Sequence, residues 1–175
     1  MTGFPMRVAR FEKVSREQFE NDMKKQRPDA DPDEIAAAYE GIHLPERATA
    51  GSSGYDIRTP FAFSLREGED IVIPTGLRAC IAPGWWLMLM PRSGLGFRLY
   101  TRLANTVGNI DSDYYTAANE GHIAVKLRLE TKGGGEAHLF PAGSAICQGV
   151  FVPYGITEDD EAAGVRVGGF GSTGS

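Results

Sequence analysis

The chain has 175 residues, 42% hydrophobic and 23% charged, with a formal net charge of -5. That length builds one domain with a substantial core and is short for two, and the composition is globular rather than disordered. The acidic balance argues against a non-specific nucleic-acid binder, although an anionic small ligand needs only a few local arginines and backbone N–H groups.

Residues 1–43 read as a helical N-terminal segment. Ser15-Arg16-Glu17-Gln18 has the form of a capping box, and Phe19 and Met23 follow on one helical face. After the breaker Arg27-Pro28-Asp29-Ala30, Asp31 is a good N-cap and Pro32 suits the first helical position. Ile35, Ala38, Tyr39 and Ile42 make an apolar stripe, and Gly41 a C-cap.

From residue 44 the pattern turns to strands. Ile71-Val72-Ile73, Leu77 to Ile81, Trp85 to Met90 and Ile146 to Val152 are apolar runs stopped by prolines or glycines. Ile123, Val125, Leu127 and Leu129 alternate with polar or small residues, the period of a half-buried strand. Thr131 to Gly135 reads as a turn. With 22 glycines and 10 prolines to punctuate them, many short strands predict an all-β sandwich or jelly roll. Cys80 and Cys147 sit in apolar runs and read as buried thiols of a reducing compartment. No apolar run approaches a bilayer's thickness, and Met1 to Arg10 lacks the apolar centre of a signal peptide. A cytoplasmic protein that touches neither membrane nor nucleic acid is the expectation. Residues 164–175, rich in Gly, Ser and Thr, read alone as a flexible end.

Five segments carry more than a β fold requires: Ala50 to Ile57, Pro91 to Gly96, Asn105 to Tyr114, Gly143 to Gln148 and Arg166 to Gly174. Each alone has an ordinary reading. Gly54-Tyr55-Asp56 and Arg92-Ser93-Gly94 are turns, Asp111 and Asp113 a surface pair, Gln148 an exposed strand residue. The glycine-rich tail is no P-loop, since it lacks the lysine and the helix that must follow.

Together and in this order, the five segments resemble the motifs of the trimeric dUTPase family over about residues 44–175. The resemblance implies an all-β jelly-roll or distorted β-barrel subunit with a short helical N-terminal segment, assembled as a homotrimer. Residues 44–163 would be the jelly-roll domain and residues 164–175 an arm closing over a neighbouring subunit's site. The implied activity is hydrolysis of dUTP to dUMP and pyrophosphate with Mg²⁺, which keeps uracil out of DNA and supplies dUMP for thymidylate synthesis. By the same resemblance Asp111 activates the attacking water, and Asp56 holds Mg²⁺ through water. Arg92, Ser93, Gly94, Gln148, Arg166, Ser172 and Thr173 bind phosphate. Asn105, Gly108 and Ile110 hold the uracil edge, Tyr114 lies beneath the deoxyribose, and Phe170 covers the base.

The pattern departs from the family in three places. Arg166 is one residue closer to Gly168-Gly169-Phe170 than usual, Tyr115 to Asn119 lengthen the third segment, and Gly96 replaces the common alanine. Two other readings stand beside the hydrolase. One is a related dCTP deaminase, disfavoured because Ile110-Asp111-Ser112-Asp113-Tyr114 has the dUTPase form. The other is a regulatory protein of the same fold, with the N-terminal helices and residues 115–119 as its partner surface or as simple packing.

Overall fold

Short antiparallel strands make most of the chain, in a computed structural model that describes residues 6–130, 137–164, 166 and 168. The expected turn at Thr131 to Gly135 and, in the tail, residues 165, 167 and 169–175 lie outside the described residues.

The N-terminal segment is not wholly helical. A strand, β1 (Ala9–Lys13), precedes the helices. Only Ala9 and Phe11 carry its apolar alternation before Lys13 breaks it, too short a run to be read from sequence. Helix α1 (Arg16–Gln26) starts at Ser15, whose Oγ accepts the Gln18 N–H at 3.1 Å. The second half of the expected capping box does not form: Gln18 donates its side-chain amide to Asp22, and the Ser15 N–H goes to Glu120 at 2.7 Å. Phe19 and Met23, one turn apart, are fully buried. In α2 (Pro32–Glu40), Asp31 caps the Asp33 N–H at 2.7 Å, and Ile35 and Ala38 face the core.

The strands that follow are β2 (Glu46–Arg47), β3 (Tyr55–Arg58), β4 (Phe63–Leu65), β5 (Asp70–Pro74), β6 (Leu77–Ile81) and β7 (Trp85–Pro91). A short helix, α3 (Ser93–Leu99), leads into β8 (Thr101–Leu103) and β9 (Gly108–Ile110), then β10 (Ala124–Leu129), β11 (His138–Phe140) and β12 (Ala145–Pro153). Arg92-Ser93-Gly94, which taken alone reads as a turn, therefore caps and opens a helix instead.

The largest sheet runs β2-β3-β12-β7-β9; a second runs β5-β10-β8, and β1-β6 and β4-β11 are separate pairs. Among the described residues these sheets do not close into a barrel. The inward residues of β10, Val125, Leu127 and Leu129, are buried as their alternation predicts. They meet Phe19, Ile35, Ile57, Leu87 and Ile146 in one core, so the N-terminal helices share the interior of the β domain. Cys147 is buried, Cys80 half-buried, and neither is in a disulfide. No described helix is long and apolar enough to cross a membrane.

Candidate functional site

The register of β12 explains how three distant segments meet. Gln148 pairs with Asp56 on β3 at one side and with Met90 on β7 at the other, while Cys147 lies opposite Pro91. Arg92 follows at the end of β7, so Asp56, Arg92 and Gln148 converge. Asp56 Oδ1 accepts the Gln148 Nε2–H at 3.1 Å and faces Arg92 Nε at 3.2 Å. Gly54 leaves room beside it: a Cβ there would lie 3.2 Å from the Gln148 side-chain amide, a tight contact.

Arg92, Ser93, Gly94 and Gln148 line a cleft of about 570 Å³ together with Arg98 and His138. Ser93 and Gly94 open α3, where backbone N–H groups have no acceptor within the helix. The wall therefore combines a guanidinium, a side-chain amide and backbone donors, a set suited to a polyanion. Sequence reading missed Arg98 and His138, since neither belongs to a recognisable motif. Asp56 also faces a polar cleft of about 370 Å³ with His43, Glu46 and Arg58.

A second and largely apolar cleft, about 520 Å³, is lined by Asn105 and Gly108 with Leu89, Leu103 and Ala124. It owes its shape to a splayed connection. Strands β8 and β9 are neighbours in sequence, yet each ends a different sheet and they do not pair with each other. Asn105 is exposed at the connection, and Gly108 is buried against Leu89. The Ile110 side chain is buried in the core, so this residue can offer a ligand only its backbone.

Beyond β9 the chain turns through a 3-10 helix, Ser112–Thr116, with Asp111 at its N-terminal end. Asp111 Oδ1 accepts from Asn109 Nδ2 at 3.0 Å, and Oδ2 pairs with Arg166. Arg166 Nε also reaches Asp113 at 2.9 Å, and its guanidinium lies 5.6 Å from the Tyr114 ring centroid. Within one chain, then, Arg166 meets the carboxylates of the third segment and not the Arg92–Gln148 cluster where phosphate binding was expected. Two acidic groups on one exposed turn are its nearest counter-charges. Tyr114 is buried at 3% exposure, its hydroxyl donating to the His122 carbonyl at 2.9 Å. Phe170, Ser172 and Thr173 lie outside the described residues.

Two residues that follow Tyr114, Tyr115 and Glu120, are tied to the N-terminal segment. Tyr115 donates to Glu12 at 2.7 Å beneath the Arg78 guanidinium, and Glu120 accepts from both the Ser15 N–H and its hydroxyl.

Residues 40–174 match the dUTPase family model. The chain belongs to the dUTPase family. The deoxyuridine 5'-triphosphate nucleotidohydrolase of Lactococcus lactis subsp. lactis (strain IL1403) is 39% identical over 147 residues, 81% of this chain and 96% of that relative. The crystal structure of dUTPase from Streptococcus mutans superposes with a TM-score of 0.62 at 29% identity, covering 85% of this chain and 98% of that one. A point mutant of the dUTPase from phage phi11 of S. aureus, described with a structural Mg(II) ion, has a TM-score of 0.56 at 20% identity, covering 71% and 92%.

Proposed function

We propose that this chain is a dUTP diphosphatase, releasing dUMP and pyrophosphate. Family membership supports the activity, and one observation carries its assignment to residues: the β12 register that gathers Asp56, Arg92 and Gln148 beside the opening turn of α3.

In this reading the triphosphate lies along Arg92, Ser93, Gly94 and Gln148. Arg92 offers paired N–H donors to phosphate oxygens, and Gly94 lets the backbone approach closely. Arg166, Ser172 and Thr173 close over the outer phosphates. The uracil edge pairs with backbone groups of the splayed β8–β9 connection, with Asn105 and Gly108 at its mouth and the Ile110 backbone behind. Cytosine would present donor against donor, and each buried unpaired group costs roughly 1–3 kcal/mol. Tyr114 lies under the deoxyribose and leaves no room for a 2′-hydroxyl. Phe170 covers the base. Asp111 orients a water and takes its proton as the water attacks the α-phosphorus in line. Arg166 must then exchange its carboxylates for phosphate, which frees Asp111 for that proton.

Among the described residues no three His, Cys, Asp or Glu side chains cluster as a metal site. A Mg²⁺ carried by the triphosphate needs less, because phosphate oxygens and waters fill most of its octahedron. Asp56, held at Oδ1 by two donors and only 15% exposed, suits the role of fixing one such water. When bound, the ion supplies charge neutralisation along the phosphates.

The Asn105–Gly108 connection, which leads through β9 to the Asp111 turn, and the Arg92 cluster line different clefts of one chain. A homotrimer that brings one subunit's turn to another's cluster resolves that separation. No residue of α3 is buried, Phe97 is 86% exposed and Leu139 60%, an apolar surface that assembly would cover. Two free cysteines suit a reducing cytoplasm.

Pyrophosphate release with Mg²⁺ tests the reading, with dUTP, dCTP, dTTP and UTP in parallel. Fast release from dUTP alone is expected, and no ammonia from dCTP. Release from none of the four would mean that the chain kept the fold without the chemistry. Sedimentation is expected to give a trimer; an active monomer would rule out the shared site.

A further inference from the structure

His122 is buried at 2% exposure and belongs to no motif. Both ring nitrogens are engaged. The Gly76 N–H donates to Nε2 at 2.8 Å, so the ring proton sits on Nδ1, 2.7 Å from Asp22 Oδ2 on α1. Asp22 also accepts from Gln18 at 2.6 Å and Lys25 at 3.1 Å. Partial burial works against its charge, but the bonds from His122, Gln18 and Lys25 outweigh that and hold the carboxyl well below its usual range. Phe19 and Met23, fully buried on the same helix, fix α1 to the core.

The backbone of His122 has a second task. Its carbonyl accepts the Tyr114 hydroxyl at 2.9 Å, and Asn119 Nδ2 donates to that hydroxyl at 2.8 Å. Burial raises the phenol's pKa, which keeps it a donor. Gly121 lets the chain double back between these partners: at φ +69, a Cβ would lie 2.6 Å from the Tyr114 carbonyl oxygen. Three bridges thus join residues 12–22 to residues 115–122: Glu12 to Tyr115, Ser15 to Glu120, and Asp22 to His122.

We propose that Asp22 and His122 are positioning residues for Tyr114, which makes the N-terminal helix part of the device that excludes ribonucleotides. This rests on the reading of Tyr114 as the surface beneath the deoxyribose. A sugar gate works by denying space to one oxygen atom, so it depends on how firmly the ring is held. The ring is held at its hydroxyl by a carbonyl, that carbonyl by a ring clamped at both nitrogens, and the clamp by α1. Removing the Asp22 carboxylate leaves a buried N–H unpaired and lets His122, and with it Tyr114, shift.

The experiment compares kcat/KM for dUTP and UTP in the full-length protein, below the melting temperature of the least stable variant. Asp22→Ala is expected to lower the dUTP:UTP ratio by about tenfold or more. Asp22→Asn, which can still accept the Nδ1–H, should restore most of it. Tyr114→Phe keeps the ring but loses the tether, and should lower the ratio as Asp22→Ala does. A role confined to folding would lower melting temperatures and leave the ratio alone. A wild-type ratio in Asp22→Ala, with a lowered one in Tyr114→Ala, overturns the proposal and leaves the sugar gate standing. An unchanged ratio in Tyr114→Ala overturns the gate itself and the proposal with it. If Asp22→Ala cannot be recovered folded, a wild-type ratio in Tyr114→Phe overturns the proposal.

Discussion

Replacing Asp111 with asparagine should lower dUTP turnover by about 10²–10⁴-fold while binding stays within a few-fold, the range expected for loss of a general base. The amide has the carboxylate's shape but cannot take a proton from water. Its surroundings need little adjustment, because Asn109 Nδ2 can still donate to the retained oxygen at Oδ1. Arg166 loses one of its two carboxylates and keeps Asp113. An arginine less firmly held at the turn should pass more readily to phosphate, so any change in affinity should be a modest gain. Pyrophosphate release gives the turnover, and calorimetry with a non-hydrolysable dUTP analogue gives the affinity. Turnover near wild type would remove Asp111 from the base role and leave Asp113, the neighbouring carboxylate on the same turn, as the remaining candidate.

The parts of this fold legible in the sequence are those where one local pattern decides the structure. Ser15 and Asp31 precede amphipathic runs, and both cap helices. The alternation from Ile123 to Leu129 could only bury one face, and it does. Strand β1 was not legible, because its alternation carries only Ala9 and Phe11 before Lys13 and its pairing partner, β6, is distant in the chain. Helix α3 was hidden by Gly94 and Gly96, poor helix formers that nonetheless continue a helix begun at the end of β7. The site divides in the same way. The motifs supplied Asp56, Arg92 and Gln148, and the register supplied their contact. Nothing local to His122 marks it, since its ring is clamped by Asp22, 100 positions away, and by the Gly76 backbone. Motif order likewise could not place Arg166, whose partners in the single chain follow from charge and proximity.

Arg92→Ala should reduce kcat/KM for dUTP by about 10²–10³-fold, the scale of losing one preorganised donor to a charged transition state. Arg92 has two tasks at once. Its Nε faces Asp56 Oδ1 at 3.2 Å, and it lines the cleft of about 570 Å³ with Ser93, Gly94 and Gln148. Lysine at this position restores charge but not the planar fork, so Arg92→Lys should recover only part of the loss. Stability should change little, since a partly exposed pair contributes about 0–1 kcal/mol. Asp56 still keeps its hydrogen bond from Gln148, so the carboxylate is not left without a donor. Steady-state kinetics beside thermal melts separate these effects. A fall in kcat/KM at unchanged melting temperature supports a phosphate contact. A parallel fall in both would make the Arg92–Asp56 pair a fastener between β7 and β3, and the phosphate path would then have to run along Arg98 and His138.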